Sequence, residues 1–326
     1  MVRAKITGTG SFVPSHRLTN SDLEKIVDTS DEWITTRTGI SERRICADDE
    51  PQSLMSLSAV KAAMDMAGAK PEEIDLLLIG TVTPDFRLPS SSCIVQQKLG
   101  LVNAATMDIV AACAGFLHAL SIADAYIKIG KYKKIVVVGA EKLSSITDYA
   151  DRNSCVLFGD GAGAVVVEAV EGDKGVLSTF MKSDGNLAEL LWIPEGGSNL
   201  PPHKLNGDAS KTFIRMAGKE VYKHAVRQMV DASLKVIADA GLKSDDVTLM
   251  VPHQANIRII ESVAKKLGMD MDRVFLNLPK YGNTSAASVP LALDEANREG
   301  RIKDGDIILM TAFGGGLTWA SALVRM

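Results

Sequence analysis

A few short stretches of this chain carry side chains able to do chemistry. In Ala111-Ala112-Cys113-Ala114-Gly115-Phe116 a thiol follows the strand-like run Thr106-Met107-Asp108-Ile109-Val110. A helix comes next, because Phe116, Leu120, Ala123 and Ile127 recur at three- and four-residue steps. A cysteine placed where a strand becomes a helix meets the free N–H groups and positive dipole end of that helix, which favour a thiolate. Small neighbours leave the sulfur reachable. The expected chemistry is nucleophilic, with a lowered thiol pKa. The plainer alternative is a small buried hydrophobe. Cys46, Cys93 and Cys155 lack this placement and read as structural.

His253 closes the run Leu249-Met250-Val251-Pro252. The carboxyl end of a parallel strand is where open α/β sheets bind ligands. A histidine satisfied by backbone groups suits the same place. Asn283 lies in Tyr281-Gly282-Asn283-Thr284-Ser285-Ala286-Ala287-Ser288. Gly-Asn is a turn signal, and an amide there can also donate to an oxyanion without titrating. Phe313-Gly314-Gly315-Gly316-Leu317 lets a ligand touch the backbone and also reads as a hairpin turn. Phe158-Gly159-Asp160-Gly161-Ala162-Gly163-Ala164 leads into Val165-Val166-Val167, so it reads as a turn near the site rather than a phosphate loop.

Alternating strands and helices must position these groups. Strands are expected at 76–82, 106–110, 135–139, 163–168, 249–252 and 307–313. Helices are expected at 21–27, 52–67, 91–99, 115–129, 217–240, 256–267 and 286–299. Ser21-Asp22-Leu23-Glu24 and Thr29-Ser30-Asp31-Glu32 both read as capping boxes. Strands bracketing helices imply an α/β fold. The stretches 64–79 and 237–252 match in outline: each has a helix, Ala-Gly-x-Lys, an acidic pair and an apolar strand. A duplicated unit is one reading. The other is that any helix–loop–strand unit carries such punctuation. A boundary near 170–175 gives two similar halves, 1–172 with the cysteine and 173–326 with the histidine and asparagine. The polar loop 195–211 reads as an excursion and not as a domain linker.

The chain of 326 residues is 46% hydrophobic and 23% charged, with a net charge of −4. It has no long basic run and no basic–aromatic interleaving, which argues against nucleic acid. The start lacks the apolar core of a signal peptide, and no apolar stretch reaches membrane-spanning length. Four cysteines without a C-x-x-C pair make no disulfide framework. A cytoplasmic protein with reduced thiols and no structural metal is expected.

Taken together, "DTSDEWITTRTGI", "AACAGF", "FGDGAGA", "VPHQAN", "GNTSAASVP" and "AFGGG" stand in the order found in β-ketoacyl-acyl-carrier-protein synthase III. The chain resembles that family of condensing enzymes over nearly its whole length. The resemblance implies a thiolase-like fold, an α/β five-layered α-β-α-β-α sandwich of two repeats, and a homodimer. It implies a ping-pong acyltransferase that initiates fatty-acid synthesis with no cofactor, acyl-CoA being a substrate. Cys113 would take the acyl group from the primer. Malonyl-acyl-carrier protein would then lose CO2, and its carbanion would attack the acyl enzyme. The catalytic set would be Cys113, His253 and Asn283, with backbone N–H groups of Cys113 and Gly315 as the oxyanion hole.

For CoA, the resemblance implies Thr29, Trp33, Arg37, Arg152, Met216, Tyr222 and Asn256, with the adenine sandwiched between Trp33 and Arg152. Tyr222 stands where the family often has Phe. Carrier-protein docking would use Lys223, Gln254, Ala255, Asn256, Ile257, Arg258, Lys265 and Lys266. Leu88 would contact the partner subunit's acyl pocket. A side chain smaller than Phe there suggests primers longer than acetyl. Other readings are a related acyl-CoA-primed ketoacyl synthase or acyltransferase of secondary metabolism, a silent acyl-CoA-binding scaffold and a cysteine hydrolase.

Overall fold

The computed structural model describes residues 1–205 and 210–326. Its main strands are β1 (Val2–Phe12), β2 (Leu76–Gly80), β3 (Ala105–Ile109), β4 (Lys134–Glu141), β5 (Gly161–Glu171), β6 (Gly175–Ser183), β7 (Leu249–Pro252), β8 (Ile307–Gly314) and β9 (Thr318–Arg325). The main helices are α1 (Asp31–Thr38), α2 (Gln52–Ala67), α3 (Ser91–Leu99), α4 (Gly115–Lys128), α5 (Gly218–Asp239), α6 (Ile257–Leu267) and α7 (Ser288–Arg298).

Two mixed sheets form, ordered β1-β5-β4-β2-β3 and β7-β8-β9-β6. In the first, β2 runs parallel to β3 and β4, and β5 is antiparallel to β4 and β1. The second repeats this pattern: β7 is parallel to β8, and β9 is antiparallel to β8 and β6. A single parallel bridge, Met250 to Val274, stands where the fifth strand would be. One offset of 173 residues carries the pair Leu76 and Ile135 onto the pair Leu249 and Ile308. The first sheet draws its strands from residues 2–171 and the second from residues 175–325.

Helices make the other layers. α2 and α3 cover the outer face of the first sheet, α5 and α6 that of the second, and α4 and α7 lie between the sheets. A middle-layer helix faces a sheet on each side, so it must be apolar nearly all round. Accordingly Phe116, Leu117, Leu120 and Ala123 of α4 share one buried cluster with Val289, Ala292 and Leu293 of α7. Central strands such as Leu76–Gly80 are buried on both faces and read as unbroken apolar runs.

Both expected capping boxes are displaced. Thr19, not Ser21, caps the short helix Asn20–Leu23, exchanging bonds with Asp22. Glu24 is drawn away because its carboxylate accepts from the N–H of Asp31 at 2.7 Å. Ser30, not Thr29, caps α1 by accepting from the N–H of Trp33 at 3.1 Å. The helix expected at 21–27 therefore stops at Leu23. Within the excursion at 195–211, the N–H of Glu195 bonds the carbonyl of Lys211 at 3.1 Å. Residues 206–209 of that excursion lie outside the described residues.

Candidate active site

Cys113 sits in a one-turn 3-10 segment, Ala112–Ala114, that feeds α4. Ala112 before it adopts φ 45°. This left-handed backbone costs a residue with a Cβ about 1–3 kcal/mol. The turn holds Cys113 against the end of β8: a Cβ on Gly314 would stand 2.5 Å from the Cys113 nitrogen and 3.0 Å from its Cβ. Only glycine permits that approach. Cys113 is buried, with 9% of the residue's surface exposed.

The expected lowering of the thiol pKa is reversed in this resting site. Burial pushes Cys113 up to about 12, and the nearby Glu141 carboxyl adds to the rise. The hydroxyl of Ser285 faces the sulfur and works in the opposite direction. Desolvation of a charged sulfur is the largest influence here and outweighs the hydrogen bonds that favour a thiolate.

Asn283 is buried at the turn before α7. Its N–H donates to Leu157 at 2.8 Å, and its carbonyl accepts from the N–H of Gly159 at 3.0 Å. The turn expected at Phe158–Ala164 therefore braces the asparagine. The N–H of Ser285 donates to Oδ1 of Asn283 at 2.9 Å. That bond fixes which amide atom is oxygen and leaves the Nδ2 hydrogens for a ligand.

His253 follows β7, and its N–H bonds the Thr311 carbonyl at 2.8 Å. Its Nδ1 lies 2.6 Å from Oγ of Ser288. That oxygen also accepts from the N–H of Gln254 at 3.4 Å, and its own proton can be donated to Nδ1. Burial holds the imidazole down to about 3, so it is neutral near pH 7. A neutral ring accepting at Nδ1 carries its hydrogen on Nε2. The Cys113, Asn283 and His253 segments thus meet through two serines. Ser285 touches Cys113 and Asn283, while Ser288 holds His253.

The reading of residues gave no role to Ser285, Ser288 or Glu141, and named Gly314 only within its glycine run. A hydroxyl-rich run at a helix start was the available signal for the serines. For Glu141 it was a carboxyl ending the apolar strand Ile135–Val138. Among the described residues, no group of three or more His, Cys, Asp or Glu side chains is placed to hold a metal ion.

Comparison with known proteins decides the family. Residues 107–185 match the family model described as 3-oxoacyl-[acyl-carrier-protein (ACP)] synthase III, and residues 237–326 match that of its C-terminal part. A β-ketoacyl-[acyl-carrier-protein] synthase III of Caldanaerobacter subterraneus is 50% identical, covering 99% of this chain and 98% of the relative. The chain belongs to the β-ketoacyl-acyl-carrier-protein synthase III family. The crystal structure of 3-oxoacyl-[acyl-carrier-protein] synthase III from Aquifex aeolicus superposes with a TM-score of 0.92 at 51% identity, covering 99% of this chain and 100% of that one. The priming β-ketosynthase of the R1128 polyketide pathway superposes with a TM-score of 0.93 at 36% identity, covering 99% and 96%. The fold is therefore the thiolase-like five-layered sandwich.

Several positions that the synthase III pattern assigns to CoA lie on one face. The guanidinium carbons of Arg37 and Arg152 stand 4.5 and 4.8 Å from the centroid of the Trp33 ring. Arg152 also donates to the Asp28 carbonyl at 2.7 Å, beside Thr29, whose buried hydroxyl has no protein partner. Asn256 caps α6 and donates to the Arg37 carbonyl at 3.0 Å, joining α6 to α1. The Tyr222 hydroxyl bonds Ser262 at 2.8 Å. Met216 pairs with Leu191, whose carbonyl abuts Gly315. One detail departs from expectation. Two stacked contacts of about 3.5 Å each need about 7 Å between planes. Arg152 instead lies directly on Trp33, so the adenine sandwich is closed here.

Among the expected docking residues, Lys223, Arg258, Lys265 and Lys266 are exposed. Arg258 donates to the Thr36 carbonyl at 3.1 Å, and Lys223 pairs with Glu220 at 2.7 Å. Ala255 and Ile257 are half-buried. Gln254 must be reassigned. It is buried, its Nε2 donates to Pro252 and Phe275, and its Oε1 accepts from Asn277 and Leu278. An amide saturated by backbone cannot meet a carrier protein, so Gln254 braces the loop behind His253.

Proposed function

We propose that this chain performs the decarboxylative Claisen condensation of an acyl-CoA primer with malonyl-acyl-carrier protein. The product is 3-oxoacyl-acyl-carrier protein, which starts fatty-acid synthesis. The reading rests above all on the meeting of the Cys113, His253 and Asn283 segments through Ser285 and Ser288 in a member of this family.

Cys113 attacks the primer thioester and keeps the acyl group as CoA leaves. Backbone N–H groups of Cys113 and Gly315 face the tetrahedral oxyanion. Malonyl-acyl-carrier protein then loses CO2, which leaves its bonding electrons on the thioester as an enolate. His253, neutral with its hydrogen on Nε2, and the Nδ2 hydrogens of Asn283 donate to the enolate oxygen. A neutral donor suits this task, since it stabilises charge without giving up its proton. The departing carboxylate itself supplies the carbanion, so the reaction needs no resident cofactor.

Thr29, Trp33, Arg37, Arg152, Met216, Tyr222 and Asn256 form the CoA face in this reading. Lys223, Arg258, Lys265 and Lys266, with Ala255 to Ile257, form the docking face for acidic carrier protein. We assign residues 1–172 and 173–326 to the two halves, in line with the division of strands between sheets. A homodimer is proposed through β3. This strand is a sheet edge with exposed Met107, and exposed Val110 follows it. Its Asp108 accepts from the N–H groups of Ser91 and Ser92, just beyond the 88%-exposed Leu88. Leu88 would reach the acyl pocket of the second copy. No described helix is long and apolar enough to cross a membrane, and a cytoplasmic site of action is proposed.

The test is a panel of acyl-CoAs with malonyl-acyl-carrier protein, with products identified by mass. Butyryl- or isobutyryl-CoA should turn over. Strict acetyl-CoA selectivity would reject the Leu88 argument. Cys113→Ala should abolish acylation, whereas Asn283→Ala should keep acylation and lose condensation. A β-keto product confined to a secondary-metabolite carrier would favour the polyketide-type alternative.

A further inference from the structure

Glu141 is a buried carboxyl that the mechanism above leaves without a task. It ends β4 and is fully buried. Its Oε2 accepts from the hydroxyl of Thr83 at 2.5 Å, the N–H of Val82 at 3.1 Å and the hydroxyl of Thr81 at 3.2 Å. Its Oε1 accepts from the hydroxyl of Ser285 at 3.1 Å. All four donors are neutral. The next residue, Lys142, points its ammonium at the carbonyls of Ala47, Asp48 and Glu50. Just before the neighbouring strand, Asp160 accepts instead from Cys46 and Ser144. On the site side, Glu141 and Ser285 both act on Cys113.

We propose that Ser285 and Glu141 form a proton relay that takes the Cys113 proton during acyl transfer and returns it when condensation frees the sulfur. This deepens the condensing reading and rests on Cys113 as its nucleophile. The Cys113 S–H bond breaks and its proton passes to Oγ of Ser285, while the Ser285 proton passes to Oε1 of Glu141. One negative charge moves from carboxylate to sulfur, and no charge is created in the buried space. Ser285 then points its hydrogen at the thiolate. The sulfur's electron pair forms the new C–S bond, and CoA departs as a thiolate. During condensation the enolate carbon bonds the acyl carbon and the C–S bond breaks. The freed thiolate recovers the proton from Glu141 by the reverse route.

The need for such a path follows from the site. Burial disfavours a charged His253, and its Nδ1 is already engaged with Ser288, which opposes an ion pair with the sulfur. Burial lifts Glu141 to about 7, toward but still below the thiol, so the carboxylate takes the proton only as the sulfur attacks. Glu141 acts on the sulfur only through Ser285 and is a positioning residue.

The experiment is peptide-resolved alkylation of Cys113 by iodoacetamide between about pH 5 and about pH 10. In the unaltered protein the rate should rise through about pH 7 and then level off. In Glu141→Gln the levelling off near neutrality should vanish. The rate should keep climbing with the thiol's own ionisation. Ser285→Ala should match that profile, and Ser285→Thr, which keeps a hydroxyl, should restore the original one. A purely structural role would scale the rate equally at every pH and would overturn the relay. So would an unchanged profile in Glu141→Gln or Ser285→Ala. If Glu141→Gln does not fold, the serine pair decides the matter. The probe reads a thiol and no thioester, so the result stands whatever the panel of primers shows.

Discussion

Ala112 and Ser285 hold the same left-handed backbone, φ 45° and φ 48°, at equivalent points of the two halves. Each opens a one-turn 3-10 segment that feeds a central helix, α4 or α7. The offset of 173 residues that aligns the sheets carries one onto the other. Both turns bend the chain so that its next residues lie against the opposite half. One turn delivers Cys113, and the other delivers the hydroxyl that faces it.

The close fit of Gly314 against the Cys113 turn makes a sharp prediction. In Gly314→Ala the new methyl would fall 2.5 Å from the Cys113 nitrogen, so the turn must shift. Loss of one oxyanion donor costs about 10²–10³-fold in rate. Single-turnover acylation, followed by intact mass, should slow by about that factor. Near-normal acylation would show that the turn does not hold the donor.

Ser288 should matter to one half-reaction only. Ser288→Ala leaves Nδ1 of His253 without its 2.6 Å partner. The ring can then place its hydrogen on either nitrogen. Decarboxylation of malonyl-acyl-carrier protein should fall about tenfold, a typical share for a mispositioned acid–base group. Acyl transfer to Cys113 should stay within about twofold, because that step does not use the imidazole. Equal losses in both assays would reject the assignment.

Two buried groups should pull stability in opposite directions with pH. His253 falls from 6.5 to about 3 on folding, so below about pH 6.5 the unfolded chain binds a proton that the native one refuses. Stability is lost as pH falls through that window. Glu141 rises from 4.5 to about 7, so the native chain holds the extra proton, and stability is lost as pH rises through that window. Each term is at most about 1.4 kcal/mol per pH unit. Urea titrations should show His253→Gln losing stability from about pH 4.5 to 7, and Glu141→Gln losing it from about pH 6.5 downward. Parallel curves for the two variants would contradict both assignments.

Trp33 is predicted to serve primer binding and not the sulfur. Base stacking on an aromatic ring is worth about 1–3 kcal/mol. Trp33→Ala should therefore raise KM for acyl-CoA about tenfold or more while leaving iodoacetamide alkylation of Cys113 unchanged. A loss of thiol reactivity instead would place Trp33 in the scaffold of the site.

Much of this architecture is legible in the residue pattern, and the exceptions have physical causes. Helices α2 and α3 match their expected spans because Gly68 and Gly100 stop them with left-handed caps. Strand β7 matches because an unbroken apolar run is bounded by polar residues. Strands β1 and β6 were not read. Their Gly, Ser and Thr content hides the periodicity, and they are fixed by pairing with β5 and β9 far along the chain. Cys113, His253 and Asn283 could be named because their residue types are uncommon in such places. Their serine partners could not, since a hydroxyl gains its role only from what folding sets beside it. The pKa of Cys113 was misjudged for the same reason: its dominant influence is desolvation, which depends on the whole packed core.

The two halves are alike in outline and unlike where they touch. The common offset sets Gly80 against His253, Gly115 against Ser288, and Gly314 against Glu141. A Cβ at Gly80 would stand 2.5 Å from the carbonyl carbon of Gly115, so in one half that niche is filled by backbone alone. The counterpart niche in the other half admits an imidazole and a hydroxyl. Asymmetry between twin scaffolds is thus the source of reactivity, with each bare glycine letting backbone close in where its twin holds a working side chain.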